Sequence, residues 1–368
     1  MINLGGATPA VTAGPTAPTA DTGDGPLRRE VDAVLADFLG GHLDTSADED
    51  WRQGVELLRS FVLGTAGKRT RPTLCHLGWR ACGGDGPGVV RVAAALELFH
   101  AFALIHDDVM DGSDTRRGRP TLHVDLADRH RRRGWRGDAE RFGRNTAILW
   151  GDLCLVWSEQ LFSSGGTADR VARVRTLFQR MRAEAVMGQY LDLRGEAAGA
   201  GLADCLRILR YKCARYTVER PLQIGAAWAG AGSAELAAFS RVGIPLGEAF
   251  QLRDDVLGVF GDDTLTGKSS LTDLRDGKAT VLMALTRQAA TAAQVAAIDR
   301  WHGDAHLDRA GADVLREIIV DSGSLRRVEE MIAARTEEAV AALHEASIVD
   351  DARVELIELA RRLSVRSR

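Results

Sequence analysis

The sequence has no paired-cysteine motif, no apolar run long enough to cross a bilayer, no basic and apolar leader at its start and no strong excess of charge. Each absence excludes a class of protein. The five cysteines, Cys75, Cys82, Cys154, Cys205 and Cys213, are scattered through apolar or helical surroundings without a CxxC pair, so they read as reduced core residues. A spanning helix needs roughly 20 consecutive apolar residues, and a secretory leader needs a basic region followed by an apolar one, so the expected location is cytoplasmic. With a formal net charge of -4 there is no reason to invoke nucleic acid, and the basic run from Arg129 to Arg136 reads as a solvated loop.

Strand-like alternation is also missing. From Leu27 onward the pattern is helical nearly everywhere. Breaks fall at Gly40-Gly41, Gly83 to Gly88, Gly112 to Pro120, Ser163 to Gly166, Gly199 to Gly201, Gly230 to Gly232, Gly261 to Gly267 and Ser322 to Ser324. Between them fit roughly ten to twelve helices of ordinary length. With 368 residues, 45% hydrophobic and 27% charged, the chain predicts a single large all-α bundle over residues 27–368, its core helices carrying site side chains inward. Residues 1–26, rich in Ala, Thr, Gly and Pro and without a hydrophobic period, are expected to be a disordered tail, either inert or carrying a short docking peptide for a partner.

What the sequence does contain is concentrated between Phe99 and Pro120, FHAFALIHDDVMDGSDTRRGRP. Residues Val92 to Ile105 are apolar on almost every face, which marks a helix in the middle of a bundle. That helix runs into Asp107, Asp108 and Asp111. Asp107 and Asp111 stack at i and i+4, with Asp108 beside them. Buried like charges need a cation, and Mg²⁺ is typically held by one or two carboxylates together with substrate phosphates. Arg116, Arg117 and Arg119 follow closely, and guanidinium forks match phosphate oxygens. Taken alone, the cluster reads equally as a solvated helix end whose Asp and Arg residues pair with one another.

A second occurrence decides for a diphosphate site. In PLGEAFQLRDDVLGVFGD, from Pro245 to Asp262, another apolar helix ends in paired carboxylates, Asp254 and Asp255, with Gly258 in the third acidic position. Lys268 and Lys278 follow, each after a glycine. Two Asp-rich helices facing one another across a bundle could hold Mg²⁺ ions between them and clamp a diphosphate from both sides. Weaker signals lie elsewhere. Lys68 and Arg71 share a face at a helix beginning, suited to an anion. His100 lies two turns before Asp107. Gln189 and Asp192 interrupt a helical stretch, and Lys212 stands in RYKCARYTVERPL.

These motifs resemble the trans-isoprenyl diphosphate synthases, the polyprenyl synthetase family. The resemblance extends from about Ala66 to Thr280 and rests on GKRTRP, ELFHAFALIHDDVMD, TRRGRPTLH, the Gly151-Asp152-Leu153 turn, GQYLDL, the Lys212 region, FQLRDD and the trailing GK and DGKAT elements. It implies an all-α fold around a deep central cavity, usually in a homodimer. It also implies that Asp107, Asp108, Asp111, Asp254 and Asp255 bind Mg²⁺, three ions in the family, together with the allylic diphosphate. Arg116, Lys212, Gln251 and Lys268 would contact that same diphosphate. Lys68, Arg71, His100 and Arg117 resemble the isopentenyl diphosphate pocket. Two positions depart from the family pattern: Gly258, which leaves the second motif with fewer ligands, and Cys213, where a hydroxyl residue is common.

Product length in such an enzyme depends on how far the tail runs beside the first Asp helix. Ala103, one turn before Asp107, leaves room, and Phe102 forms a partial floor. The combination resembles geranylgeranyl more than farnesyl diphosphate synthases. A class I terpene cyclase would share the first Asp-rich helix, but it typically carries an Asn/Ser/Glu second motif and does not need the isopentenyl pocket. A non-catalytic partner subunit should have lost carboxylates or cations that are present here.

Overall fold

The computed structural model of the chain describes residues 25–44, 48–64, 67–116, 118–261 and 270–365. Apolar residues at helical spacing set its elements from the start. Helix α1 (Gly25–Asp44) buries Val31, Leu35 and Leu39 in one stripe. It begins within the expected tail, whose residues 1–24 lie outside the described residues, as does any docking segment there. It also continues through Gly40 and Gly41, where the sequence predicts a break. Two helical glycines cost about 1 kcal/mol each relative to alanine. The stripe outweighs that cost, because Leu39 is fully buried and Leu43 packs on the same core.

Helices α2 (Glu49–Gly64) and α3 (Thr70–Ala81) lead into α4 (Val90–Met110), which is buried on nearly every side through Phe99, as its apolar composition predicts. A two-residue antiparallel ribbon, β1 (Thr115–Arg116) and β2 (Arg119–Pro120), sets Arg116 opposite Arg119. Helices α5 (Leu122–Arg132), α6 (Ala139–Ser163) and α7 (Ala168–Ala198) follow. Next comes one continuous helical run: α8 (Leu202–Ile208), a π-helical segment (Leu209–Glu219) and α9 (Arg220–Ala229). Helix α10 (Ser233–Phe260) precedes the four-residue α11 (Thr272–Arg275). The chain ends in α12 (Val281–Ala289), α13 (Ala292–Trp301), α14 (Arg309–Asp321), α15 (Ser324–Glu345) and α16 (Asp350–Ser364).

Counting the run through the π-helical segment once, the described residues form 15 helices, more than the ten to twelve expected. The surplus lies after residue 270, where Thr280 and Thr291 rather than Gly or Pro cap the starts of α12 and α13. Thr280 Oγ1 accepts from the Met283 N–H at 3.2 Å, and Thr291 forms a capping box with Gln294. The fold is all-α, as the sequence predicts.

One apolar cluster joins α1, α2, α4, α6 and α7 around Phe99, Phe162, Phe178 and Trp228. A second lies under α12 to α15, and a third joins α3, α9, α10, α15 and α16. Helix α4 packs on α6, and α10 on the π-helical segment and α15, so α4 and α10 are held firmly along their lengths while their C-terminal ends meet at a cavity. All five cysteines are free, and burial pushes the thiols of Cys154 and Cys205 up to about 12. No helix among the described residues is long and apolar enough to cross a membrane.

Candidate active site

A cavity of about 640 Å³ is lined by the ends of α4 and α10, the start of α3, one face of α7 and the π-helical segment. The last turn of α4 directs Asp107 into it, where Lys212 Nζ lies at 3.2 Å and Arg116 Nη2 at 3.3 Å. Burial alone would raise Asp107, but Lys212, then Arg116 and Lys278, together hold it below the ordinary carboxylate range. Asp108 is only 1% exposed, and Arg116 Nε donates to both of its oxygens, at 2.7 and 2.9 Å. Asp111 caps α4 and is exposed. The three carboxylates therefore do not present one common surface. Asp107 faces the cavity, Asp108 anchors Arg116 beneath it, and Asp111 stands at the helix end. The Asp–Arg pairing that a solvated helix end would show is present, but it is largely buried and forms part of the cavity wall.

Across the cavity, α10 brings Gln251, Asp254 and Asp255 to the lining. Gln251 Nε2 donates to Asp255 Oδ1 at 2.8 Å, and burial pushes the Asp255 carboxyl up to about 7. Lys278 joins them from the loop between α11 and α12. The Asp273 charge holds its ammonium well above the usual lysine range against the effect of burial, and Asp255, Asp192 and Asp107 add to this. Arg117, Asp262 and Lys268 lie outside the described residues.

The π-helical segment carries Lys212, Cys213, Tyr216 and Thr217 to the cavity, and π-helical turns are rare and concentrated at functional sites. Lys212 Nζ bridges Asp107 and the nearly buried Asp192, 2.5 Å away. Gly188 permits this, because a Cβ there would meet the Lys212 backbone nitrogen at 2.4 Å. With no side chain at that point, α7 rests directly on the π-helical backbone and sets Asp192, one turn on, against Lys212.

At the other wall, His100 Nδ1 and Tyr216 Oη are 3.0 Å apart. The Arg71 guanidinium lies 4.1 Å above the Tyr216 ring, and its Nη2 donates to Thr217 Oγ1 at 2.9 Å. Its Nε is buried with no hydrogen-bond partner among the described residues. Lys68 is exposed at the mouth. Between them Arg69 has a different task. It holds a left-handed backbone, φ 48°, and its guanidinium is bound by Glu97 at 2.7 Å and Asp32 at 2.9 Å. That buried pairing fixes the turn that presents its two neighbours.

Away from the charged groups the wall is apolar. Phe99, Phe102 and His106 form an aromatic row on α4, with centroid separations of 5.3 and 4.6 Å, beside Ala103 and facing Ala185 and Val186 of α7.

Comparison with known proteins gives the same assignment. The polyprenyl synthetase family model matches residues 55–319. The chain belongs to the polyprenyl synthetase family. It is 32% identical to a geranylfarnesyl diphosphate synthase of Aeropyrum pernix over 89% of this chain and 96% of that one. It is 33% identical to a geranylgeranyl diphosphate synthase of Mycobacterium tuberculosis over 78% of each. Among solved structures, the geranylgeranyl pyrophosphate synthase of Corynebacterium glutamicum, complexed with isoprenyl diphosphate and magnesium, superposes with a TM-score of 0.89 at 38% identity, covering 93% of this chain and 99% of that one. The family consists of trans-prenyltransferases that synthesise isoprenyl diphosphates.

Among the described residues, no three His, Cys, Asp or Glu side chains form a ready-made cage for a metal ion. A polyprenyl synthetase site does not require one, since Mg²⁺ keeps only one or two carboxylates when phosphate oxygens complete its coordination. Carboxylates on two helices that line one cavity, with Lys212, Arg116 and Lys278 beside them, fit an ion that arrives with a diphosphate. The sequence does not single out Tyr216, and it marks Lys278 only as one of the two cations after the second cluster. The spacing of Tyr216 from Lys212 was available as a signal, whereas the position of Lys278 depends on a loop whose path no local pattern specifies.

Proposed function

We propose that this polyprenyl synthetase catalyses the Mg²⁺-dependent head-to-tail condensation of isopentenyl diphosphate with allylic diphosphates, with geranylgeranyl diphosphate as its product. The observation that carries this reading is one cavity with two kinds of wall: carboxylates from two helices and several cations at one end, and the Phe102 and Ala103 face of α4 beyond them. Asp107 and Asp111 on one side, with Asp254 and Asp255 on the other, would hold the Mg²⁺ ions, whose charge offsets the negative charge growing on the departing diphosphate, while Asp108 completes the first acidic motif by keeping Arg116 in place beside them.

The chain's own residues do the rest. Lys212, Arg116 and Gln251 hold the allylic diphosphate, with Lys268 and Lys278 added from the following segment. Lys68, Arg71 and His100, joined by Arg117, hold isopentenyl diphosphate with its double bond beside the allylic carbon. The allylic C–O bond breaks, the double bond attacks the resulting cation, and a proton passes to the released diphosphate. The apolar wall excludes water, which would quench the cation. The growing tail runs between Phe102 and Ala103 on α4 and Ala185 and Val186 on α7, where the open Ala103 position admits a longer chain than a bulky residue would. The enzyme acts as a homodimer. Leu149 and Val156, on α6, are 66% and 62% exposed, an apolar surface suited to a second copy.

The test is product length. Purified protein with Mg²⁺ and isopentenyl diphosphate is offered dimethylallyl, geranyl and farnesyl diphosphates in turn, and the dephosphorylated alcohols are weighed by mass spectrometry. Geranylgeraniol from every primer is the expected result. Accumulation at farnesol makes the enzyme a farnesyl diphosphate synthase with Phe102 as its floor. A cyclic hydrocarbon would assign it as a class I cyclase, and complete inactivity as a subunit that needs a catalytic partner.

A further inference from the structure

Gly258 stands where the spacing of the first cluster would place a third carboxylate on α10. A carboxylate lies there nevertheless, and it comes from another element. A Cβ built on Gly258 would fall 2.0 Å from Asp273 Oδ2 and 2.9 Å from its Cγ, so Asp273 occupies the space that a side chain at 258 would need. Its other oxygen, Oδ1, is 3.6 Å from Lys278 Nζ, and Lys278 lines the cavity. The Asp273 side chain retains 22% of its surface, so the pair is open to solvent. The backbone holds it in register: the Lys278 N–H donates to the Asp273 carbonyl at 3.1 Å, a turn closed through Gly277 at φ 66°.

We propose that Asp273 completes the second acidic cluster in place of a carboxylate at position 258, with one oxygen beside Gly258 for the metal-bound diphosphate and the other holding Lys278 towards it. Gly258 is then not a lost ligand but the gap that admits a ligand from α11. This inference rests on the proposed diphosphate chemistry of the site and adds a residue to it.

The test measures binding without turnover: Mg²⁺ titrated calorimetrically into the full chain in the presence of inorganic pyrophosphate, for the wild type, Asp273→Asn, Asp273→Ala, Gly258→Asp and the double variant Gly258→Asp/Asp273→Ala. Removing the Asp273 carboxylate should weaken Mg²⁺ binding about ten- to hundredfold. In the Asp273→Ala background, where the gap is open, Gly258→Asp should restore most of that loss. Gly258→Asp alone should gain nothing, since its side chain meets Asp273. Because Asp273→Asn preserves the shape of the side chain, weakened Mg²⁺ binding in that variant with an unchanged melting temperature separates ligation from folding. Unchanged Mg²⁺ binding in both Asp273 variants, or a double variant no better than Asp273→Ala, overturns the assignment while the diphosphate reading stands. A wild type that binds no pyrophosphate with Mg²⁺ overturns both.

Discussion

The two Asp-rich helix ends share the residues Asp-Asp-Val and an apolar approach, yet they are electrostatically unlike. At the end of α4, Asp107 and Asp108 are matched with Lys212 and Arg116, and the balance holds Asp107 below its ordinary value. At the end of α10, Asp255 is buried with a neutral amide, Gln251, as its hydrogen-bond donor, and its carboxyl rises to about 7. The shared Asp-Asp-Val thus behaves differently at Asp107 and Asp255 because the partners differ: Lys212 and Arg116 bind the first, and Gln251 of the same helix is the hydrogen-bond donor to the second. Asp107 and Asp108 are already paired with cations, whereas Asp255 is under-compensated despite the nearby Lys278 charge.

That contrast can be broken most severely at Asp107. Asp107→Asn should reduce turnover about 10²- to 10³-fold in the condensation assay, the scale seen when one preorganised charged contact is removed. Next in size is Lys212→Met, which strands both Asp107 and the nearly buried Asp192. Stripping a cation from such pairs costs about 3 kcal/mol or more, read as a lower urea midpoint.

Asp255→Asn should act in the opposite direction. In the folded chain Asp255 keeps a proton that the unfolded chain releases from about pH 4, so this group erodes stability as pH rises towards 7. The Asn variant, melted in the presence of a chelator, should be stabilised at pH 7.5 by on the order of 2 kcal/mol and hardly at all at pH 4. Asp107→Asn should destabilise under the same conditions at pH 7.5, since a carboxyl held below its ordinary value contributes stability that is lost only as pH falls. Equal signs for the two variants would dissolve the comparison. The smallest effect on rate should come from Phe102→Ala, which leaves both clusters intact. Longer products with an unchanged Mg²⁺ requirement would show that chain length is set separately, and an unchanged product would place the floor elsewhere.

Much of this was legible in the chain. Apolar periodicity gives the helices, and repeated Asp pairs followed by cations mark the site, because both are local patterns. What lay hidden depends on long-range partners. GKRTRP shows three cations, but only folding reveals that Arg69 is engaged by Asp32 and Glu97 while Arg71 reaches Tyr216. HDDVMD suggests three equivalent carboxylates, and burial separates them into one facing the cavity, one anchoring Arg116 and one at the helix end. The Gly40-Gly41 pair misleads because its propensity cost is small beside the packing of Leu39. Gly258 reads as a loss until Asp273 is found against it.

The π-helical segment has a consequence for chain length rather than for side chains. Thr217, five residues after Lys212, faces the same cavity as Lys212 and Tyr216 because the segment is wound more widely than an α-helix. Removing one residue between Leu209 and Glu219 would turn everything after the cut by roughly 100° relative to what precedes it. Tyr216 and Thr217 would then leave His100 and Arg71, even with every functional residue still present in the sequence. This stretch therefore tolerates substitution far better than insertion or deletion, and when related chains are aligned, a gap placed inside it marks either a misalignment or a rebuilt site.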